Sequence, residues 1–156
     1  MFSGGLASGE PMPLNQEEVY AFLWELAAAN QRCDAEWLEQ EAYLPTTTLT
    51  FAIEGGPTVT MKRDEYLQGF RRECFHTRQS FDTSSISVEV GGNRAVVSGR
   101  WEHGAMSRFF FFTELELEWI EETQELIRHG EGIKVQEVRQ VLMPVPGQFE
   151  EDPVVR

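Results

Sequence analysis

A chain of 156 residues has the usual size of one domain, and its 41% hydrophobic and 12% aromatic content, with 11 Phe and 4 Trp, suffices for a core that offsets chain entropy without metal or disulfides. With 26 acidic against 13 basic residues the formal net charge is −13, so the mean field repels phosphate backbones and anionic headgroups and argues against nucleic-acid or membrane-surface roles. No run of about 18 apolar residues is present to span a bilayer.

Residues 1–14, rich in Gly, Ser and Pro, read as a flexible arm, residues 15–143 as a single domain and residues 144–156 as a C-terminal tail. The opening ten residues carry neither a basic n-region nor an apolar stretch. The expected compartment is therefore the cytoplasm, with periplasm or secretion open if a leader was removed. Asn15 and Glu18 form the signature of a capping box, followed by Val19, Phe22, Leu23, Leu26 and Ala27 at helical spacing. Cys33 is too far from Cys74 for a redox or zinc motif. Two buried thiols are expected, with pairing open if the chain is exported. Asp34 caps a second short helix, Ala35 to Tyr43, with Trp37, Leu38 and Ala42 inward, and Pro45 ends it.

The β-branched stretch Thr46 to Ile53, the turn Glu54-Gly55-Gly56-Pro57 and the strand Thr58 to Met61 make a hairpin. A third helix, Arg63 to Phe75, aligns Tyr66, Phe70 and Cys74 beside Leu67. The basic pairs Lys62-Arg63 and Arg71-Arg72, diluted by Asp64, Glu65 and Glu73, read as its solvated face. From Ser84 the period becomes two. Ile86, Val88 and Val90 alternate with polar residues before Gly91-Gly92-Asn93, and strands follow over Arg94 to His103, over Ser107 to Ile120, and finally to Met143. Three N-terminal helices packed in the concave face of a strongly curved, mostly antiparallel sheet, in the order α-α-β-β-α-β-β-β-β, define an α+β fold.

Strand alternation assigns the faces. Ala95, Val97, Gly99, Trp101 and His103 share the helix side, as do Leu115, Leu117 and Trp119, opposite Glu114, Glu116 and Glu118. Gly130-Glu131-Gly132 reads as a bulge, after which Glu137 and Arg139 face inward; a slip of one residue turns both outward. Phe109 to Phe112 is apolar on both faces and calls for a cover. A homodimer through the outer sheet face around Phe110 and Phe112 is one answer, and a fold-back of residues 144–149 the other.

The helix 1 that ends in Ala27-Ala28-Ala29-Asn30, the short capped helix, the hairpin, the third helix and the four-strand meander resemble, over residues 15–143, the nuclear transport factor 2-like superfamily with its cystatin-like fold. The resemblance implies a cone-shaped domain, often dimeric, with a pocket between helices and sheet. It extends to SnoaL-like cyclases, ketosteroid isomerases and scytalone dehydratases as well as to non-catalytic modules, so the fold does not carry a function. Proton-transfer members place an Asp in or after helix 2, or an Asp-His pair in the pocket. Here Leu44-Pro45-Thr46-Thr47-Thr48-Leu49 contains no acid, and Glu25 stands nearest the isomerase-like Tyr position.

Candidates for acid–base work are Glu137, Arg139, His103 and Tyr20. Glu137 would move a proton while Arg139 or Tyr20 stabilises an enolate-like oxygen. Tyr20, Trp24, Trp101, His103, Leu117 and Trp119 are the expected ligand lining, against the plainer alternative that the aromatics fill the core. His76, His103 and His129 lie on separate elements, so no metal is expected, and without a phosphate loop or a G-x-S-x-G elbow no cofactor is expected either. Two functions remain: a non-catalytic dimeric domain binding a small apolar ligand or a protein partner, or an isomerase, dehydratase or cyclase using the same pocket. No nucleic-acid or membrane partner is expected.

Overall fold

The computed structural model describes residues 12–76, 86–102, 106–107 and 115–146. Helix α1 (Gln16–Gln31) begins at the expected capping box: Glu18 N donates to Asn15 Oδ1 at 2.8 Å, and Asn15 N donates to Glu18 Oε1 at 3.2 Å. Val19, Phe22, Leu26 and Ala29 are buried; Ala27, expected inward, lies on the exposed side. Asp34 accepts from Trp37 N and caps α2 (Ala35–Trp37). The chain then widens into a π-helical turn, Leu38–Ala42, closed by Tyr43 N onto Leu38 O. The wider turn buries Leu38 and Ala42 together, and Tyr43 already opens a strand rather than closing a helix.

Strand β1 (Tyr43–Ile53) pairs antiparallel with β2 (Thr58–Lys62), and Pro45 falls in an irregular stretch between Tyr43 and Thr48. Proline cannot donate to a ladder. There the buried Thr47 hydroxyl accepts from Leu44 N at 2.7 Å and donates to Val135 O. Helix α3 (Arg63–Glu73) buries Leu67 and Phe70, with Tyr66 and Cys74 half-buried, and ends in a 3-10 turn, Cys74–His76.

The later strands are β3 (Ser87–Gly91), β4 (Arg94–Glu102), β5 (Met106–Ser107), β6 (Leu115–His129) and β7 (Gly132–Pro144). The sheet runs β2-β1-β7-β6-β4-β3, with β5 on β6. It is antiparallel except for β1 on β7, the one parallel pairing among the described strands. Two boundaries differ from the alternation reading. The strand expected over Ser107 to Ile120 is not one strand: Met106–Ser107 pairs antiparallel with Leu115 and Glu116, the long strand runs from Leu115 to His129, well past Ile120, and Phe109 to Phe112 fall outside the described residues. Gly130 is not a bulge: with φ +63 it opens the two-residue turn between His129 and its partner Gly132, a left-handed position that suits glycine.

Bulges do occur, elsewhere. Leu117 pairs with Pro144 and Trp119 with Met143, leaving Glu118 as an extra residue in β6. Glu125 pairs with Glu137 and Leu126 with Val135, leaving Gln136 extra in β7. Each bulge bends its strand and reverses the alternation beyond it. The helix-side face thus comprises Ala95, Val97, Gly99 and Trp101 of β4; Leu117, Ile120, Glu122, Gln124, Leu126 and Arg128 of β6; and Ile133, Val135, Val138, Gln140 and Leu142 of β7.

Arg128 joins the far end of this face to α1. Its side chain is 4% exposed and donates to Met12 O, Pro13 O, Glu131 O and Glu18 Oε1. The chain before α1 is held there, and Leu14 is buried with its N–H on Gly92 O. The Arg128 guanidinium, through this hydrogen bond, holds the Glu18 carboxyl below its ordinary range. A disulfide joins Cys33, past the end of α1, to Cys74, at the end of α3, with Cα atoms 5.8 Å apart. The two cysteines, expected as buried thiols, are therefore paired instead, because the ends of α1 and α3 meet.

Two outcomes are expected. Truncating Arg128 to Met strands four acceptors, and chemical denaturation should register a loss of about 3 kcal/mol. Because the Glu18 carboxyl is lowered, its contribution is present above the ordinary carboxylate range and is lost as pH falls through its folded value, and Arg128→Met should flatten that acid limb. Replacing both Cys33 and Cys74 by Ser removes a cross-link spanning 41 residues and should lower stability by about 4 kcal/mol on the loop-closure estimate, measured by the same denaturation.

Candidate functional site

The bulge at Gln136 decides the fate of the pair on which acid–base chemistry was expected to rest. Beyond it Glu137 and Arg139 point away from the helices, 37% and 62% exposed, and pair with each other at 3.1 Å. They border an open depression of about 220 Å³ with Val96, Thr123 and Glu125. Arg94, on the neighbouring strand β4, pairs with Glu125. The charges there cancel, as on an ordinary solvated sheet surface.

Trp119 is likewise turned outward, by the bulge at Glu118, and Arg100 stacks over its ring at 4.2 Å. Tyr20 and Trp24 lie on the solvent side of α1, 42% and 76% exposed, because Val19, Phe22 and Leu26 take the inward stripe. His103 lies outside the described residues. Of the expected lining, Trp101 and Leu117 remain on the helix-side face, with Leu117 fully buried and Trp101 half-buried.

Trp101 leads to the group that the alternation reading passed over. Glu122 stands on the helix-side face in one row with Gly99, Gln140 and Phe51. Its carboxylate accepts three neutral donors: Trp101 Nε1 at 3.1 Å and Gln140 Nε2 at 3.3 Å on Oε1, and Gln124 Nε2 at 2.7 Å on Oε2. A carboxylate offers about four acceptor directions. Three are used, the side chain is held from three sides, and one direction is left. No Lys, Arg or His among the described residues lies within ion-pair distance of it.

An aromatic group flanks this carboxylate. Tyr66 of α3 stacks on Phe51 at 5.8 Å between ring centroids, with Tyr43 at 6.1 Å edge-on and Phe70 at 5.9 Å. Burial pushes both phenols, Tyr43 and Tyr66, above their ordinary range, and the negative charge of Glu122 adds to the effect. Glu122, Gln124, Gln140, Trp101 and Tyr66 are all partly accessible. The arrangement is a fixed acceptor beside aromatic surface, suited to orienting a hydrogen-bond donor on a small, largely apolar body. Among the described residues no cluster of three or more His, Cys, Asp or Glu side chains could hold a metal ion.

A signal for Glu122 was present in the chain. Ile120 and Leu126 are buried, six positions apart, so with a period of two they place Glu122 and Gln124 on the buried face. The acidic run Glu121-Glu122-Thr123-Gln124-Glu125 hides it.

Neither a protein-family model nor a curated protein matches the chain. Solved structures do. An NTF2-like protein from Cytophaga hutchinsonii has a TM-score of 0.61 at 18% identity, covering 83% of this chain and 100% of that one. An uncharacterized protein with a cystatin-like fold from Caulobacter vibrioides has a TM-score of 0.63 at 12% identity, covering 90% and 96%. A proposed dehydratase of the NTF2-like family from Streptomyces avermitilis has a TM-score of 0.58 at 20% identity, covering 83% and 94%. At these identities the likeness is one of architecture. Three helical segments against one face of a bent, mostly antiparallel sheet, matched along most of their length by these structures, give this chain the NTF2-like, cystatin-like fold.

Proposed function

We propose that this domain binds a small, largely apolar molecule on its helix-side sheet face, holding it by a hydrogen bond to Glu122, without catalysis. The observation that carries this reading is the Glu122 carboxylate fixed by Trp101, Gln124 and Gln140 beside partly accessible aromatic rings. Acid–base turnover needs a group that exchanges its proton near working pH. The tyrosines near Glu122 are raised away from that range, and Glu137 and Arg139 are on the opposite face. Glu122 is thus better placed to hold than to shuttle.

A second reading, general acid–base catalysis by Glu122 on a small carbonyl compound, is favoured by one observation: the charge of Glu122 acts on the phenol of Tyr66 across the helix side, and one structural neighbour is a proposed dehydratase. The Cys33–Cys74 disulfide further suggests an oxidising compartment over the cytoplasm. The domain also pairs with a second copy through the outer sheet face around Phe110 and Phe112. Support comes from the apolar end of that face, where Trp119 and Met143 sit opposite each other beside Val141.

For the binding reading, native mass spectrometry and proton–nitrogen NMR should detect an apolar small molecule that moves the Trp101 indole signal, and Trp101→Ala should weaken its binding about tenfold. Shifts centred on Trp119 instead would place the ligand on the outer face and sink the proposal. Turnover of that molecule, abolished by Glu122→Gln with binding kept, would select the catalytic reading. For the dimer, sedimentation should find two copies in the wild type and one in the double variant Phe110→Asp, Phe112→Asp; a wild-type monomer refutes it.

A further inference from the structure

We propose, resting on the binding reading above, that the ligand is an amine: a molecule with an apolar body whose ammonium group sits on Glu122, with carboxylates and phosphates rejected. Three independent features of the helix-side face point to this chemistry.

The first is charge. Among the described residues this sheet face carries two charged side chains, Glu122 and Arg128. Arg128 is held by Glu18 and three backbone carbonyls, and it lies six residues along β6 from Glu122, about 20 Å at strand rise. It is not free to meet an anion. Among the described residues Glu122 accepts only from neutral N–H groups, which orient a carboxylate without cancelling its charge. A half-buried anion without a counterion is completed by a cation, and a charge-assisted hydrogen bond is about twice as strong as a neutral one.

The second feature is a surplus of acceptors. Gln124 spends its amide nitrogen on Glu122, and its Oε1 is buried with no hydrogen-bond partner. An unsatisfied buried acceptor is costly. An ammonium has three donors, so one seated on Glu122 adds donors to a row that holds more acceptors than it fills. A ligand headed by a carboxylate or phosphate brings more acceptors and leaves the mismatch in place.

The third is the surrounding surface. Tyr66 packs with Phe51, Tyr43 and Phe70 in one aromatic group on the helix side, and aromatic rings attract a cation over their faces but not an anion. The outer depression has no such bias, since Glu137 and Glu125 are matched by Arg139 and Arg94.

The test uses three probes with one apolar body: 2-naphthylmethylamine, 2-naphthylmethanol and 2-naphthoate. Each is titrated into the full chain while the Trp101 indole signal is followed, in about 0.5 M NaCl so that the general field of the acidic chain is screened. The amine should bind about tenfold tighter than the alcohol, and the acid more weakly than either. Glu122→Gln should bring the amine down to the alcohol while leaving the alcohol bound. That variant can keep its internal hydrogen bonds, because a flip of the Gln124 amide exchanges the donor it uses for the acceptor it leaves idle. If circular dichroism nonetheless finds it unfolded, N-acetyl-2-naphthylmethylamine, which keeps the N–H and loses the charge, is titrated into the wild type instead and should bind no tighter than the alcohol. Naphthoate binding as tightly as the amine, or an amine advantage that survives loss of the carboxylate, overturns the ligand class and leaves the binding site standing. No movement of Trp101 with any of the three removes both.

Discussion

Side chains on a β-strand alternate with a period of two, and every functional conclusion about this domain depends on where that alternation is broken. One extra residue in β6, Glu118, and one in β7, Gln136, decide which groups meet the helices and which meet solvent. Without the first, Trp119 would lie beside Leu117 in the core. Without the second, Glu137 and Arg139 would be buried together, where desolvation offsets much of their attraction. With both in place, the ion pair goes to water and the helix side receives Glu122, Gln124 and Gln140. The same bulges bend the two longest described strands, so a curved sheet and the choice of its inward residues have one cause.

The two inward charges illustrate different solutions to the cost of burying an ion. Arg128 is matched in full, by one carboxylate and three carbonyls. Its role is to fasten the start of α1 and the β6–β7 turn to each other. Glu122 is half matched: its orientation is fixed by three donors, but no cation among the described residues answers its charge. A structural ion pair tends toward the first arrangement, because an uncompensated charge lowers stability. The second is what a site built to meet a ligand looks like, since the group that completes it arrives from outside. The disulfide between Cys33 and Cys74 ties the ends of the two helices that overlie this face, α1 and α3, so the helix layer is fixed at its ends while the polar row beneath remains partly accessible.

Local signals carried the secondary structure a long way. The Asn15 and Glu18 capping box, the Asp34 cap, the Tyr66-Phe70-Cys74 row and the Ala95-Val97-Trp101 alternation all act within one turn or one strand, and the structure contains each of them. The π-helical turn at Leu38–Ala42 has no such local mark, because it answers to the fit of Leu38 and Ala42 against the core. The candidate site was harder to read. Trp101 and Leu117 could be assigned inward from their own strands, but Tyr20 and Trp24 could not be told from core residues, since α1 has aromatic or aliphatic side chains on two stripes and only packing selects one. Glu122 was masked by four polar neighbours in a run of five.

By itself the sequence determined an α+β domain, its order of helices and strands and the places where helices begin, because capping, turn chemistry and hydrophobic periodicity act between residues close in the chain. Only the tertiary structure decided the parallel seating of β1 on β7, the Cys33–Cys74 pairing, the register of β6 against β7 and hence the exchange of Glu137 for Glu122 on the helix side. Those outcomes are set by contacts between segments distant in sequence, and a single inserted residue, which barely alters local composition, inverts every side chain that follows it.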